Sequence, residues 1–403
     1  MTRTGPSFYF SSSPGSVAPG ALPVPNGYAT VQQSWQQVHG FLTTYVGQAS
    51  SGLELCGLTM YYYHVYKFFG QAQDAALVRS VYEQLLANLR AAGPVSWGAD
   101  ELEQVRVVAW LTARLAQDGL LPTPSPAPLR HLDARLAQEA HRLQQQPGPT
   151  STRNFIRILQ YFSLRLPEPG AEASLYELLQ AWPTSARQAE RSVCPDLALS
   201  LTDGLAGELL LLLQLHKAGV TTVALEERLR TGIQQLLATR QEVDFSAGRY
   251  SVFPRVLLAP YQQAVFSAEL TWAHGDLGHS WLLYEAHAVW QDAELARIAE
   301  LVGLNTLLRT TASTTEVTTA SFFQGSAGVA HLYRRLHGMS GHAAYRTGYL
   351  HWLGHTLAQL AQELPYATES SFVASMPFGL VGVGLLLLAE VADQKTDWDT
   401  LLL

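Results

Sequence analysis

Cysteine is nearly missing from this chain. Two thiols in 403 residues, Cys56 and Cys194, cannot build a disulfide framework, and with no second cysteine near either one a thiolate metal cluster is excluded as well. Both read as small buried side chains. A basic surplus is absent too: 26 Lys and Arg stand against 33 Asp and Glu, with the signs interleaved and a net charge of −7. No extended basic face follows, which argues against nucleic acid as a partner. Apolar runs such as residues 380–389 stop well short of the roughly 20 residues that a membrane span needs, and the opening Met1-Thr2-Arg3-Thr4-Gly5-Pro6-Ser7 lacks the apolar segment of a secretory signal. The expectation is a soluble, cytoplasmic protein with no membrane span.

What is present is a large apolar fraction, 47%, enough for a sizeable core. Length alone would suggest two or three domains, unless the chain is built from repeats. Repeats are found. Glu269-Leu270-Thr271-Trp272-Ala273-His274-Gly275-Asp276-Leu277-Gly278 places two glycines three apart ahead of an apolar run. That pattern reads as a tight turn opening a helix. The same device opens runs at Gly204 and Gly207, at Gly325 and Gly328, and at Gly379 and Gly382. Stepping back by fifty from Gly204 reaches Asn154, Gln104 and Glu54, each just ahead of an apolar, aromatic-rich run. The starts at 54, 104, 154, 204, 275, 325 and 379 thus mark a fifty-residue unit occurring seven times.

Amphipathic helices are predicted between these runs, over 75–91, 128–143, 223–237, 294–308 and 343–360. The runs themselves are apolar nearly all round, the mark of helices buried on every side. Seven such pairs are best closed into an all-α, α/α toroid, a double ring of seven inner and seven outer helices. An open solenoid would leave runs such as 209–213 and 385–388 exposed. A first helix is predicted from about Thr30 to Val46. Residues 1–28, rich in Ser, Pro and Gly, read as a flexible arm, and 29–403 as one toroid. The longest step between starts places an inserted loop or small subdomain at about 241–268, near the mouth of the ring.

The turn residues resemble a known family. Trp272 to Gly278 is similar to the W-C-Y-G-D-x-G motif of the lanthionine synthetase C-like (LanC-like) cyclases, Phe322 to Gly328 to their L-C-H-G-x-A-G motif, and Leu201 to Gly207 to their A-H-G-L-A-G motif. The resemblance runs from about residue 50 to the end and implies a seven-fold α/α toroid. The chemistry it implies is thioether ring formation on a ribosomal peptide: a zinc-activated cysteine thiolate adds to a dehydroalanine or dehydrobutyrine, and the enolate is protonated. The family's zinc ligands fall here on Ala273, Phe323 and Gln324, none of which can serve zinc as the family's residues do. No metal or other cofactor is therefore expected. The exchange reaches further. The motif histidine aligns with Asp203, the tyrosine after the first ligand with His274, the arginine four residues before that ligand with Glu269, and, loosely, a third-unit aspartate with Thr150.

Equivalent starts should bring Glu54, Gln104, Arg153, Arg157, Asp203, Glu269, His274 and Gln324 to one end of the ring. These can form a polar pocket that grips a peptide, or can cap helix N-termini and pair with one another, a role that suits Asp203, Asp276 and Glu54. His274, in the turn at the lost metal site, is the candidate catalytic group, with Asp203 and Glu269 as partners. Glu54, Gln104, Arg153, Arg157, Gln324 and Phe323 are the candidate substrate contacts. His279 and His331 lie within predicted helices and read as structural, and a replacement metal site built from His274, Asp276 and His279 would bind zinc poorly. Two functions stay open: a zinc-independent peptide cyclase in lanthipeptide biosynthesis, or a non-catalytic binding or scaffold protein beside a modifying enzyme. The expected partners are a precursor peptide and a dehydratase. A glycoside-cleaving toroid lacks the paired carboxylates it would need.

Overall fold

The computed structural model describes residues 30–49, 51–91, 97–121, 127–145, 149–166, 168–189, 196–202, 204–259, 262–369, 373–394 and 396–402. In chain order these form α1 (Val31–Tyr45), α2 (Gly52–Phe69), α3 (Ala72–Ala91), α4 (Ala99–Gln117), α5 (Ala127–Gln145), α6 (Pro149–Leu164), α7 (Pro169–Ala189), β1 (Leu197–Ala198), α8 (Leu205–Lys217), α9 (Val223–Ala238), β2 (Val256–Leu258), β3 (Gln263–Val265), α10 (Asp276–Trp290), α11 (Ala293–Thr306), the short α12 (Ala312–Thr315), α13 (Ser326–Ser340), α14 (Ala343–Glu363) and α15 (Leu380–Val391).

The fold is an all-α toroid. Helices α2, α4, α6, α8, α10, α13 and α15 pack each against the next, and α15 packs against α2. The ring is closed, as the repeat count predicts. Its burial follows the sequence: every residue of α15 from Leu380 to Ala389 is buried, whereas α9 buries only Leu225, Leu229, Gly232, Ile233 and Leu236, one face of an outer helix. Each fully buried Leu, Ile or Val contributes roughly 1.5–3 kcal/mol of transfer free energy. Helices α3, α5, α7, α9, α11 and α14 follow their inner partners in the chain. The seventh outer position is taken by α1, which packs on α15.

The paired glycines have a steric cause. Each inner-helix turn doubles back over the helix it opens. A Cβ on Gly207 would overlap the Leu201 carbonyl oxygen, one on Gly328 that of Phe322, and one on Gly382 would sit 2.5 Å from that of Met376. Gly275 also carries φ +109°, a left-handed value that favours glycine.

Four inner helices begin directly after Gly204, Gly275, Gly325 and Gly379. The three units without that turn start earlier than the fifty-residue steps imply, at Gly52, Ala99 and Pro149. Their starts are set locally: Ser51 closes a capping box with Glu54, and Gly98 is the N-cap of α4. Helix α7 is absent from the sequence reading; it opens on Pro169, a residue tolerated in a first helical turn. The predicted arm, residues 1–28, lies outside the described residues. The excursion at 241–268 contains a 3-10 turn and strands β2 and β3, which with β1 form a three-stranded antiparallel sheet in the order β1-β2-β3. No described helix is long and apolar enough to cross a membrane.

Residues 396–402 cross the bore of the ring. Arg114 of α4 pairs with Asp397, Gln160 of α6 donates to the Thr400 carbonyl at 2.7 Å, and His331 and Arg335 of α13 both reach Asp399. Trp398, fully buried, meets Phe322 edge to face with ring centroids 4.8 Å apart.

Candidate functional site

The inner-helix turns of the last four units are joined by backbone hydrogen bonds. Leu201 N–H donates to the Ala273 carbonyl at 3.1 Å, Ala273 N–H to Phe323 at 3.2 Å, and Phe323 N–H to Pro377 at 2.9 Å. Ala273 and Phe323, two of the positions that would carry ligands in the resembled family, are thus direct backbone neighbours.

Beside this ladder, between the excursion and the turn before α10, lies a narrow cleft. Ser200, Ser251, Phe253, Pro254, Arg255, Ser267, Glu269, His274, Gly275 and His279 line it. His274 Nδ1 is 3.0 Å from Glu269 Oε1, and the Thr271 hydroxyl donates to the same oxygen at 3.1 Å. Burial pushes the Glu269 carboxyl up. The hydrogen bond and charge of His274, the charge of Arg255 and the Thr271 hydroxyl together outweigh that and hold it below the ordinary 4.5. An ionised carboxylate can only accept, so Nδ1–H donates to it whichever charge the ring carries. In the uncharged ring Nε2 keeps its lone pair, and no described residue hydrogen-bonds it. The result is an imidazole held in one orientation, half-buried at the edge of a cleft.

Two buried charges hold this geometry. Arg309, fully buried, donates through Nη2 to the carbonyls of Ala268 and of Glu269, the latter at 3.3 Å, and through Nε to Thr314 at 3.0 Å. The Glu269 carbonyl so held sits 2.6 Å from where a Cβ of Gly275 would lie. Asp276, also fully buried, accepts from the backbone N–H groups of Val252 at 2.8 Å and Phe253 at 3.2 Å. Its carboxylate therefore ties the excursion to α10, where the sequence suggests a helix cap. Nothing in the sequence marks Arg309 or Arg255; the excursion and the loop after α11 bring them in.

The remaining candidates are scattered. Glu54 accepts from Tyr45 Oη at 2.5 Å and from Ser51 Oγ at 2.9 Å, so its carboxylate is engaged in the α2 cap. Gln104 lies against the Cα of Gly52, joining the first two units. Arg157 donates to Asn154 Oδ1 at 3.2 Å, and Arg153 lies one turn earlier on α6. Thr150 is exposed in the first turn of α6. Asp203 and Cys194 lie outside the described residues. His279 Nε2 donates to the Leu199 carbonyl at 2.8 Å, and His331 pairs with Asp399 at 2.9 Å; both are buried within helices. Cys56 is buried, its thiol pushed well up by burial and by the Glu103 charge, against the pull of Arg106.

Zinc does not fit here. Ala273 offers only a buried methyl, Phe323 packs its ring on Phe378 at 5.6 Å, and Gln324 is exposed. Among the described residues no group of three or more His, Cys, Asp or Glu is placed to hold a metal ion. His274 is committed to Glu269, and Asp276 to two backbone N–H groups.

The structure is similar to that of a nisin cyclase, with a TM-score of 0.71 over 91% of this chain and 96% of that one at 12% sequence identity. At that identity the likeness is one of fold. No family model and no curated protein sequence matches the chain.

Proposed function

We propose that this protein is a divergent LanC-like cyclase that forms thioether rings on a dehydrated precursor peptide without zinc, the base being His274 oriented by Glu269. The observation that carries the reading is the 3.0 Å contact of His274 Nδ1 with a carboxylate held ionised, which leaves Nε2 available at a cleft beside the retained turn ladder. A cysteine thiol is a few per cent ionised at neutral pH and intrinsically nucleophilic, so its addition to a dehydro-residue needs positioning and a proton acceptor more than a metal. Proton transfer to a placed imidazole contributes typically about 10²–10⁴-fold, and holding the thiol against the alkene contributes as much or more. The N-termini of α10 and α13 open beside the ladder, and their dipoles favour the anionic sulfur. Gln104, Arg153, Arg157 and the Phe323–Phe378 pair are the proposed contacts for the rest of the peptide, Gln324 lies exposed beside them, and Asp203 is a proposed further partner of the base. A dehydratase would supply the substrate.

The test incubates a dehydrated, cysteine-containing precursor with the wild type, His274→Ala and Glu269→Gln, each with and without chelator, and scores rings by thiol alkylation and mass spectrometry. Elemental analysis accompanies it. Expected are no stoichiometric zinc, turnover that resists the chelator, and a loss of about 10²-fold or more in His274→Ala. One zinc retained per chain through dialysis against a mild chelator sinks the metal-free reading.

One observation favours a second reading. The aromatic pair Phe323–Phe378 fills space beside the lost ligand positions, as a peptide-holding surface would. Binding of the peptide with no rings above the uncatalysed background selects this scaffold function.

A further inference from the structure

Arg255 stands at the start of β2 with its main chain fixed on both sides: its N–H donates to the Val265 carbonyl at 2.8 Å, and its carbonyl accepts from Leu199 N–H at 3.0 Å. Both neighbours belong to the sheet that the excursion builds with residues 197–199. From that mount the side chain lines the cleft, 51% exposed, with Nη1 3.7 Å from Glu269 Oε2. That separation gives an electrostatic pair and no hydrogen bond. None of its five N–H donors is spent on a described residue. Arginines that serve packing or ion pairing usually commit their fork to a carboxylate or to carbonyls, as the fully buried Arg309 does on the main chain of Ala268 and Glu269. Arg255 differs: it is a rigidly mounted cation with unused donors beside a base.

We propose that Arg255 is the group that binds the carbonyl oxygen of the substrate's electrophilic residue and holds the negative charge which that oxygen acquires. The proposal rests on the reading of His274 as the base. In the step, Nε2 of His274 takes the thiol proton and the sulfur bonds to Cβ of the dehydro-residue. The alkene pair shifts to Cα–C, and the carbonyl pair moves onto oxygen beside the guanidinium. The proton then returns from the imidazolium to Cα, the carbonyl re-forms, and a thioether results with nothing oxidised, reduced or expelled. A single negative oxygen develops, and, apart from the imidazolium that must return its proton to Cα, Arg255 is the cation among the described cleft-lining residues that can meet it. Glu269 serves both neighbours, orienting His274 on one oxygen and facing Arg255 with the other.

The substrate for the test is a synthetic peptide with one dehydroalanine and one cysteine; a second peptide, with serine replacing the cysteine, cannot cyclise and reports binding alone. The full chain is compared with Arg255→Ala and Arg255→Lys, with thermal melting as the control for folding. Arg255→Ala should lower kcat about 10²-fold, the usual loss of an oxyanion donor, while binding of the serine peptide weakens only about three- to tenfold. Arg255→Lys should regain part of kcat. Ethylguanidinium, added below denaturing concentration, should raise kcat of Arg255→Ala and leave the wild type unchanged, which a residue that merely braces the sheet would not show. A kcat within about threefold of wild type in Arg255→Ala, or a large loss that neither lysine nor ethylguanidinium recovers, overturns the proposal. A wild type that forms no rings refutes the cyclase reading instead, and equal binding of the serine peptide by wild type and Arg255→Ala then overturns the proposal independently.

Discussion

Two glycines of α13 should respond in opposite directions to the same replacement. At Gly338, exposed in the last turn, an added Cβ meets nothing within 4 Å, so Gly338→Ala should stabilise by about 0.5–1 kcal/mol through helix propensity and a less flexible unfolded chain. At Gly328 the same Cβ overlaps the Phe322 carbonyl oxygen and lies 2.8 Å from Trp272 Cβ, against about 3.5–4.0 Å for comfortable carbon contacts. The obstacle is backbone and cannot rotate away. The turn must shift, stretching the bonds from Ala273 N–H to Phe323 and from Phe323 N–H to Pro377. Two weakened hydrogen bonds cost about 1–3 kcal/mol together, overpacking typically adds 1–3, and about 1 of this is returned by propensity. The net loss for Gly328→Ala is about 3 kcal/mol, read as a fall in the urea midpoint with an unchanged slope. A Gly328→Ala protein as stable as wild type would refute the carbonyl-packing account of the glycine pairs, and so would a loss at Gly338 matching that at Gly328.

Arg309→Met should destabilise by about 3–5 kcal/mol, because it strands the Ala268 and Glu269 carbonyls and leaves Asp276 without the nearby charge; equilibrium unfolding measures it, and a loss below about 1 kcal/mol would contradict the clamp. Glu269 titrates below its ordinary value, so its contribution is fully present above about pH 4.5 and is lost as pH falls through the lower folded value. The stability gap between wild type and Glu269→Gln should hold steady down to about pH 5 and narrow below 4.5; a gap that is the same at pH 6 and pH 3 would mean that the carboxylate gains nothing from His274 and Arg255.

Where backbone packing demands one residue type, the sequence was transparent. A helix turn whose backbone occupies the place of a Cβ accepts only glycine, as at Gly204, Gly275 and Gly325, and together with Gly379 these announced four helix starts. The first three units use a serine cap, Gly98 and Pro149 in place of that turn, and their starts were legible only to within a few positions. The dyad was half legible: only four residues lie between Glu269 and His274, and the turn joining them is closed by Thr271, which bonds the main chain of His274. Arg255 and Arg309 were invisible, since a strand pairing and a loop after an outer helix place them, and neither has a periodic or motif signature. Asp276 was seen in the right place with the wrong partner, because a carboxylate at a helix start reads as a cap until a second segment competes for it.

Because α1 packs on α15, the seventh unit is assembled from the first and the last of the described α-helices. During synthesis at about 5–20 residues per second, α1 leaves the ribosome some 350 residues before its partner exists, an interval of roughly 20–70 s. Trp35 and His39 can meet α2 early, through Phe69 and Tyr61, but Val38 waits for its native neighbour Gly384 of α15. A linear stack of repeats can nucleate anywhere and grow, but it needs polar caps on its terminal repeats. This chain needs no caps. It trades them for a closure step of very high sequence separation, which makes folding slow and places the burden of holding α1 on whatever shields exposed apolar helices in the cell.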